Sequence, residues 1–193
     1  MSRVDELIYE LCPEGVTLLM LGDVASVERG KTITKAETTP GAIPVLAGGR
    51  TPAYWHNTHN RSDEHVVVAG SGAYAGYVSF WDQPTWVSDA FTVIAFERVA
   101  HTKYLFYWLT SIQRHLHQMK RGGGVPHVYA KDVSKLSAPI PPLAVQEEIV
   151  RILDTFDVLV SSLSVGLPAE VAVRRKQYQY YREKLLTFQE LAA

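Results

Sequence analysis

The stretch 66-VVVAGSGAYAGYVSFW-81 constrains the fold more than any other part of the chain. Two apolar runs flank Gly70, Gly72 and Gly76, a spacing that serves either a cofactor loop or a tight turn between strands. A dinucleotide or methyl-donor loop needs a helix directly after its glycines, because the helix N-terminus supplies the free N–H groups that hold a phosphate or carboxylate. Here the glycines lead into Tyr77-Val78-Ser79-Phe80-Trp81, which is alternating and aromatic, then into the turn Asp82-Gln83-Pro84. Thr85-Trp86-Val87-Ser88 and the strand-like Phe91-Thr92-Val93-Ile94-Ala95-Phe96 follow. Strand, turn and strand in succession predict a β meander and argue against a cofactor cradle.

The surrounding texture agrees. Val4 to Leu11 reads as one short amphipathic helix, stopped by Pro13 and Gly15. From Val16 to about Val99 the segments are short, rich in Val, Ile, Thr, Tyr and Trp, and punctuated by Gly and Pro, as in successive strands and loops. Between Lys103 and Lys120 the period changes: Tyr104, Leu105, Trp108, Leu109, Ile112, Leu116 and Met119 recur at helical intervals. That helix should end at Arg121-Gly122-Gly123-Gly124, and Val125-Pro126-His127-Val128-Tyr129 should be extended, since the residue before proline avoids the α region. The segment 138-APIPPLAVQEEIV-150 then opens a helix at about Ala144.

In that helix Val145, Ile149, Ile152, Leu153, Phe156, Leu159, Val160 and Leu163 form an apolar face. Glu147, Glu148, Arg151, Asp154 and Asp157 fall mostly on the other side. After an interruption at Gly166 and Pro168, the residues Leu167, Val171, Arg174, Tyr178, Tyr181, Leu185 and Phe188 follow the a/d spacing of a coiled coil. The expected architecture is therefore α+β: a β-rich domain with a few helices over 1–143, then a long helical coiled-coil region over 144–193. The heptad predicts a homodimer seam through Val171, Tyr178, Tyr181 and Leu185, the alternative being a helix packed on its own body.

Charge adds little pull of its own. The net charge is −1 over 193 residues, so any nucleic-acid binding must rest on local clusters. The single cysteine, Cys12, can form neither an internal disulfide nor a metal cluster and reads as a small buried apolar residue. The opening residues lack the pattern of a signal peptide and no apolar run is long enough to span a membrane, so a cytoplasmic protein without membrane contact is expected.

Phosphate-loop, zincin and serine-hydrolase signatures are absent, as is the Asn/Asp/Ser-Pro-Pro-Tyr/Phe motif by which amino-methyltransferases hold the target amine. His56-x-x-His59 and His115-x-His117 have no neighbouring carboxylate or cysteine to complete a metal shell. What the chain does carry is loops suited to a polar, stacked partner. Gly48-Gly49-Arg50-Thr51 with Tyr54-Trp55-His56-Asn57 combines close backbone approach, a guanidinium fork, rings and an amide. Arg121 with Gly122, Gly123 and Gly124, then His127 and Tyr129, repeats the combination. Residues 114–135 hold five Lys or Arg and three His against one Asp. Arg pairs with guanine and Asn with adenine in the major groove, while Lys and glycine N–H groups meet phosphates.

These features, with Cys12-Pro13-Glu14-Gly15-Val16, 21-LGDVASVERGKT-32, the Gly124-Val125-Pro126-His127 turn, 139-PIPPLAVQEEIVRILDTFD-157 and 166-GLPAEVAVRRKQYQYYREKLLTF-188, resemble the specificity subunit of type I restriction-modification enzymes. The resemblance runs through most of the chain. It implies a non-catalytic target recognition domain followed by a helical spacer, one such unit where the family usually carries two, either as a half-subunit or as part of a longer one. It implies double-stranded DNA as ligand, with methyltransferase and restriction subunits as partners. S-adenosylmethionine, ATP and Mg are expected on those partners, with no cofactor on this chain. On this expectation Lys120, Lys131 and Lys135 meet phosphates, Arg50, Asn57, Tyr74, Arg121 and His127 read or stack near base edges, and Gly49, Tyr54, Trp55, Ser71, Gly122 and Gly123 belong to the same DNA-binding surface. A catalytic methyltransferase fragment and a coiled-coil scaffold without DNA binding are the alternatives.

Overall fold

The computed structural model describes residues 3–162 and 168–191. In chain order, α1 (Arg3–Leu11) and β1 (Thr17–Met20) lead into α2 (Leu21–Val24) and β2 (Ala25–Arg29). Then come β3 (Ile43–Leu46), β4 (Tyr54–His56), β5 (His65–Ala69), β6 (Val78–Trp81), β7 (Trp86–Val87) and β8 (Ala90–Ala95). The remainder is α3 (Thr102–Ser111), α4 (Gln113–Gln118), α5 (Ala130–Val133), β9 (Ser137–Ile140), α6 (Leu143–Ser162) and α7 (Pro168–Leu186). The fold is α+β, and its contacts divide it into a unit of residues 20–138 and a unit of residues 1–19 with 139–193.

In the unit 20–138, four strands form a sheet in the order β2-β8-β5-β6 and three more form a second sheet, β4-β3-β7. The glycine stretch joins β5 to β6 as an antiparallel pair, with Val66 opposite Phe80 and Val68 opposite Val78, as its pattern predicts. The expected meander stops there. β7 leaves for the second sheet, where Val45 pairs with Trp86 in parallel, and β8 slots between β2 and β5 rather than beside its predecessor. Asn60 makes this possible: its amide donates to the Val87 carbonyl at 2.8 Å while its Oδ1 accepts the Val87 N–H at 2.8 Å. The side chain thus adds to the backbone bond that the same carbonyl accepts from Lys31 N–H at 2.9 Å.

Every residue of β5 is buried, which explains an apolar run in place of alternation. On one face Val67 meets Leu46, Val87 and Ala90, with Trp81 half-buried beside them. Val66 and Val68 point to the opposite face, and α3 packs on β5, β6 and β8. The helix expected over Lys103–Lys120 is two helices, α3 and α4, because Ile112 leaves the helical region at φ −95°, ψ 18°.

In the other unit, β1 pairs with β9 and α1 packs on α6. The Pro-Pro-Leu-x-x-Gln motif is a helix start: Pro142 accepts the N–H groups of Val145 and Gln146, and the fully buried Gln146 side chain donates to the Pro141 carbonyl at 2.7 Å. Val145, Ile149 and Leu153 are fully buried, as their spacing predicts. Glu148, expected on the polar face, is buried instead; Arg151 grips both of its oxygens, at 2.8 and 2.6 Å, and Arg3 stands 3.9 Å away. The Arg151 hydrogen bonds hold its carboxyl below the usual carboxylate range.

Part of the heptad face of α7 packs within the chain. Tyr181 stacks on Phe156 of the same chain with centroids 5.4 Å apart, and Tyr178 lies 6.2 Å from that ring. Leu185 is buried, and burial together with the Asp157 carboxylate raises the Tyr178 hydroxyl well above the ordinary phenol range. Two of the heptad residues, Tyr178 and Tyr181, thus meet Phe156 of α6, a partner that periodicity cannot identify, and α7 is a helix near the C-terminus. Val171 lies in α7, while the interruption at Gly166 and the seam's first residue, Leu167, lie outside the described residues. Among the described residues no helix is long and apolar enough to cross a membrane.

Candidate functional site

The turn between β5 and β6 is held from below and from both sides. Tyr77 N–H donates to Tyr74 O at 2.8 Å, and Gly76 N–H to Ala69 O at 2.8 Å. Gly76 has φ +82° and backs onto the Leu116 carbonyl, so a side chain there meets both left-handed strain and crowding. From below, Gln113 donates to the Gly76 carbonyl at 2.5 Å and accepts the Val78 N–H at 3.1 Å. His117 donates through Nδ1 to Ala75 O at 2.9 Å, and Lys120 Nζ donates to Ala73 O at 2.7 Å.

Two further loops flank this turn. On one side a Cβ on Gly48 would collide with the Ser71 carbonyl, so glycine permits the close approach. The Arg50 guanidinium then lies 4.8 Å from the Tyr74 ring centroid and 5.4 Å from that of Tyr77. On the other side Gly72 N–H donates to Pro126 O and Val128 N–H to Gly70 O, each at 2.9 Å. Arg121 and His127 exchange backbone hydrogen bonds at 2.9 and 2.8 Å, and the His127 ring stacks on Tyr129, 6.0 Å away and 16° from parallel. Three segments distant in sequence thus converge, and they carry Arg50, Tyr74, Lys120, Arg121 and His127. Beside His127 a cleft of about 200 Å³ is lined by Arg29, Asp89, Tyr129 and Lys131.

Charge here is partly spent. Arg121 pairs with Asp132 at 3.5 Å while most of its side chain stays in solvent. Gly122 has φ +103°, and a Cβ on Gly123 would meet nothing within 4 Å, so the backbone of this loop can be approached without side-chain obstruction.

Some expected residues fall elsewhere. Ser71 faces inward: it is 8% exposed and its hydroxyl donates to Asp89 Oδ2. Tyr74, at 43% exposed, answers the other way and faces solvent. Gly49 sits with Arg50 on the near side, but Tyr54, Trp55 and Asn57 do not form one group with them. β3 and β4 run antiparallel, so Tyr54 lies at the loop end, opposite Val45, whereas Asn57 lies beyond His56 at the far end, against Gly41. Trp55, 57% exposed, stands between them, opposite Pro44.

Sequence reasoning missed Asp89 as the anchor of Ser71, Tyr77 as the second ring under Arg50, and Arg29 in the cleft. The pairing of Ala69 with Ala90 brings Asp89 to the turn, and no local signal announces that register. His56 is not poised for a metal, since its Nδ1 accepts the Thr39 N–H at 2.9 Å and its ring meets Trp86 edge-on at 5.2 Å.

Residues 13–172 match the family model "Type I restriction modification DNA specificity domain". The specificity subunit of the EcoR124I/EcoR124II type I restriction enzyme of Escherichia coli is 36% identical over 102 residues, which cover 52% of this chain and 25% of that one. The specificity subunit of the type I restriction enzyme MpnII of Mycoplasma pneumoniae is 28% identical over 173 residues, 86% of this chain and 51% of that one. The chain thus spans about half or less of the length of these relatives. In fold it is similar to the S subunit of a type I restriction-modification system from M. genitalium, with a TM-score of 0.66 at 20% identity, over 77% of this chain and 41% of that one.

Proposed function

The chain belongs to the type I restriction modification DNA specificity domain family, and from that premise we propose that it is a DNA-reading unit of a type I restriction-modification specificity subunit. It recognises one half of a bipartite site in double-stranded DNA and assembles with methyltransferase and restriction subunits in the cytoplasm. The observation that carries this reading is the convergence of three loops on the β5–β6 turn, which gathers a guanidinium, exposed aromatic rings, cations and a glycine loop bare of side chains. That inventory suits phosphates and base edges.

Within it, Lys120, Lys131 and the N–H groups of Gly122 and Gly123 meet the backbone. Arg50, Tyr74, Arg121 and His127 approach the bases, with Gly49 giving the strand room to come close. Tyr54, Trp55 and Asn57 belong to a separate edge and contribute only if DNA follows the β3–β4 hairpin. Residues 1–143 form the recognition region and 144–193 the spacer that sets the distance between half-sites. A bipartite site needs two such units, so the second comes from another copy of this chain or from a further stretch of the same polypeptide.

The chain itself performs no chemistry on this reading; S-adenosylmethionine, ATP and Mg reside on the partner subunits. The test is competition binding of duplex DNA by the chain assembled with its methyltransferase subunits. A cognate duplex should be retained over random duplex by roughly 10³-fold or more. Binding of S-adenosylmethionine by the chain alone, measured calorimetrically, would support the methyltransferase-fragment alternative instead.

A further inference from the structure

Arginines of the unit 20–138 differ in how their donors are used. Arg61 spends its own on Thr92 Oγ1 at 2.9 Å, the Asn60 carbonyl at 2.8 Å and the Arg29 carbonyl at 3.4 Å, with Glu28 3.4 Å away. Arg121 is paired with Asp132. Arg50 is set apart by its rings: it is exposed, its guanidinium lies over Tyr74 and near Tyr77, and among the described residues no acceptor takes its N–H groups. A stacked guanidinium keeps its plane and leaves its edge donors free.

The platform beneath it is rigid. Tyr74 and Tyr77 are linked by the Tyr77 N–H to Tyr74 carbonyl bond. The turn that carries them is bonded to Gln113, His117 and Lys120, and the loop that carries Arg50 abuts Ser71, itself anchored on Asp89. The rings restrict the arginine side chain in the free protein, which lowers the ordering cost of a base contact.

We propose that Arg50 is the residue that specifies a guanine in the half-site, donating two parallel N–H bonds to O6 and N7 in the major groove, with Tyr74 fixing the plane of the fork. Guanine is the base that offers two acceptors on that edge. This proposal rests on the DNA-recognition reading above and names the base that one of its residues selects.

The experiment selects binding sites from a pool of randomised duplex DNA, using the chain assembled with its methyltransferase subunits. The wild type should yield a half-site containing a fixed G·C pair. Arg50→Ala should relax that one position, lowering its preference roughly 5- to 150-fold, while the other positions keep theirs. Arg50→Lys, which retains charge without the fork, should relax the same position. Tyr74→Phe, which keeps the ring, should leave it intact, and Tyr74→Ala should weaken it. If Arg50→Ala lowers affinity equally for every site, Arg50 is a phosphate contact and the proposal fails. It also fails if the variant leaves every position unchanged. A wild-type pool with no enriched sequence would overturn the DNA-recognition reading itself.

Discussion

Asp89 shows how a single carboxylate can both line a cleft and anchor the turn beside it. It accepts the buried Ser71 hydroxyl and so holds the turn that carries Tyr74. A buried hydroxyl stripped of its charged acceptor loses about 1.5–3 kcal/mol. Asp89→Ala should therefore lower the urea-unfolding free energy by that amount, and Asp89→Asn, which keeps an acceptor oxygen, should recover most of it. His65 is the other informative residue. It is fully buried, with Nδ1 donating to Asp63 O at 2.6 Å, so Nε2 accepts the Thr85 hydroxyl at 2.7 Å. Desolvation by burial pushes this imidazole below its usual range. The unfolded chain takes up a proton near pH 6.5, the folded chain only lower. Stability is thus complete above about pH 6.5 and falls as pH drops toward the folded value. Melting temperature should decline from about pH 7 to about pH 5, and with a shallower slope in His65→Gln. Glu148, whose carboxyl is also lowered, contributes a loss of the same sign at more acidic pH, below the ordinary carboxylate value.

Elements show where reading the sequence succeeds and where it stops. The β5–β6 hairpin was legible because glycines followed by alternating aromatics leave few backbone choices, and the start of α6 because Pro-Pro closes one conformation and opens another. The parallel pairing of β3 with β7 was not, since a two-residue strand has no period and its partner lies about forty residues away. The α7 heptad was legible as a face but not as an interface. Periodicity reports that one side is apolar, whereas Phe156, a residue of another helix, decides what covers it. Two aromatic contacts at about 0.5–1.5 kcal/mol each join α6 to α7. Phe156→Ala should cost about 1–3 kcal/mol and, by loosening α7, speed tryptic cleavage at the already exposed Arg174–Lys176 stretch, read by limited proteolysis. At the hairpin, Gly76→Ala should cost about 1–2 kcal/mol for left-handed strain alone, more with the Leu116 carbonyl in the way, as read by chemical denaturation. Of the candidate site, the two glycine-and-arginine loops were legible as compositions. Their meeting across the β5–β6 turn was not, because it depends on the placement of β8 beside β5.

At the scale of the molecule, membership of the specificity-domain family and the convergence of loops within residues 20–138 point to a single role, that of reading a short stretch of DNA for enzymes carried by other subunits. On the proposed reading a chain of net charge −1 binds through a local cluster of cations and rings, so binding should weaken with salt only as far as its few phosphate contacts dictate. The most direct measurement is the map of methylated sites in the genome of a host that expresses this chain with its methyltransferase subunits, compared with the same host lacking the chain. The account predicts a methylated motif of short specified segments separated by unspecified bases that is present only when the chain is present, and whose composition changes with Arg50→Ala. An identical set of methylated sites in both hosts would contradict it.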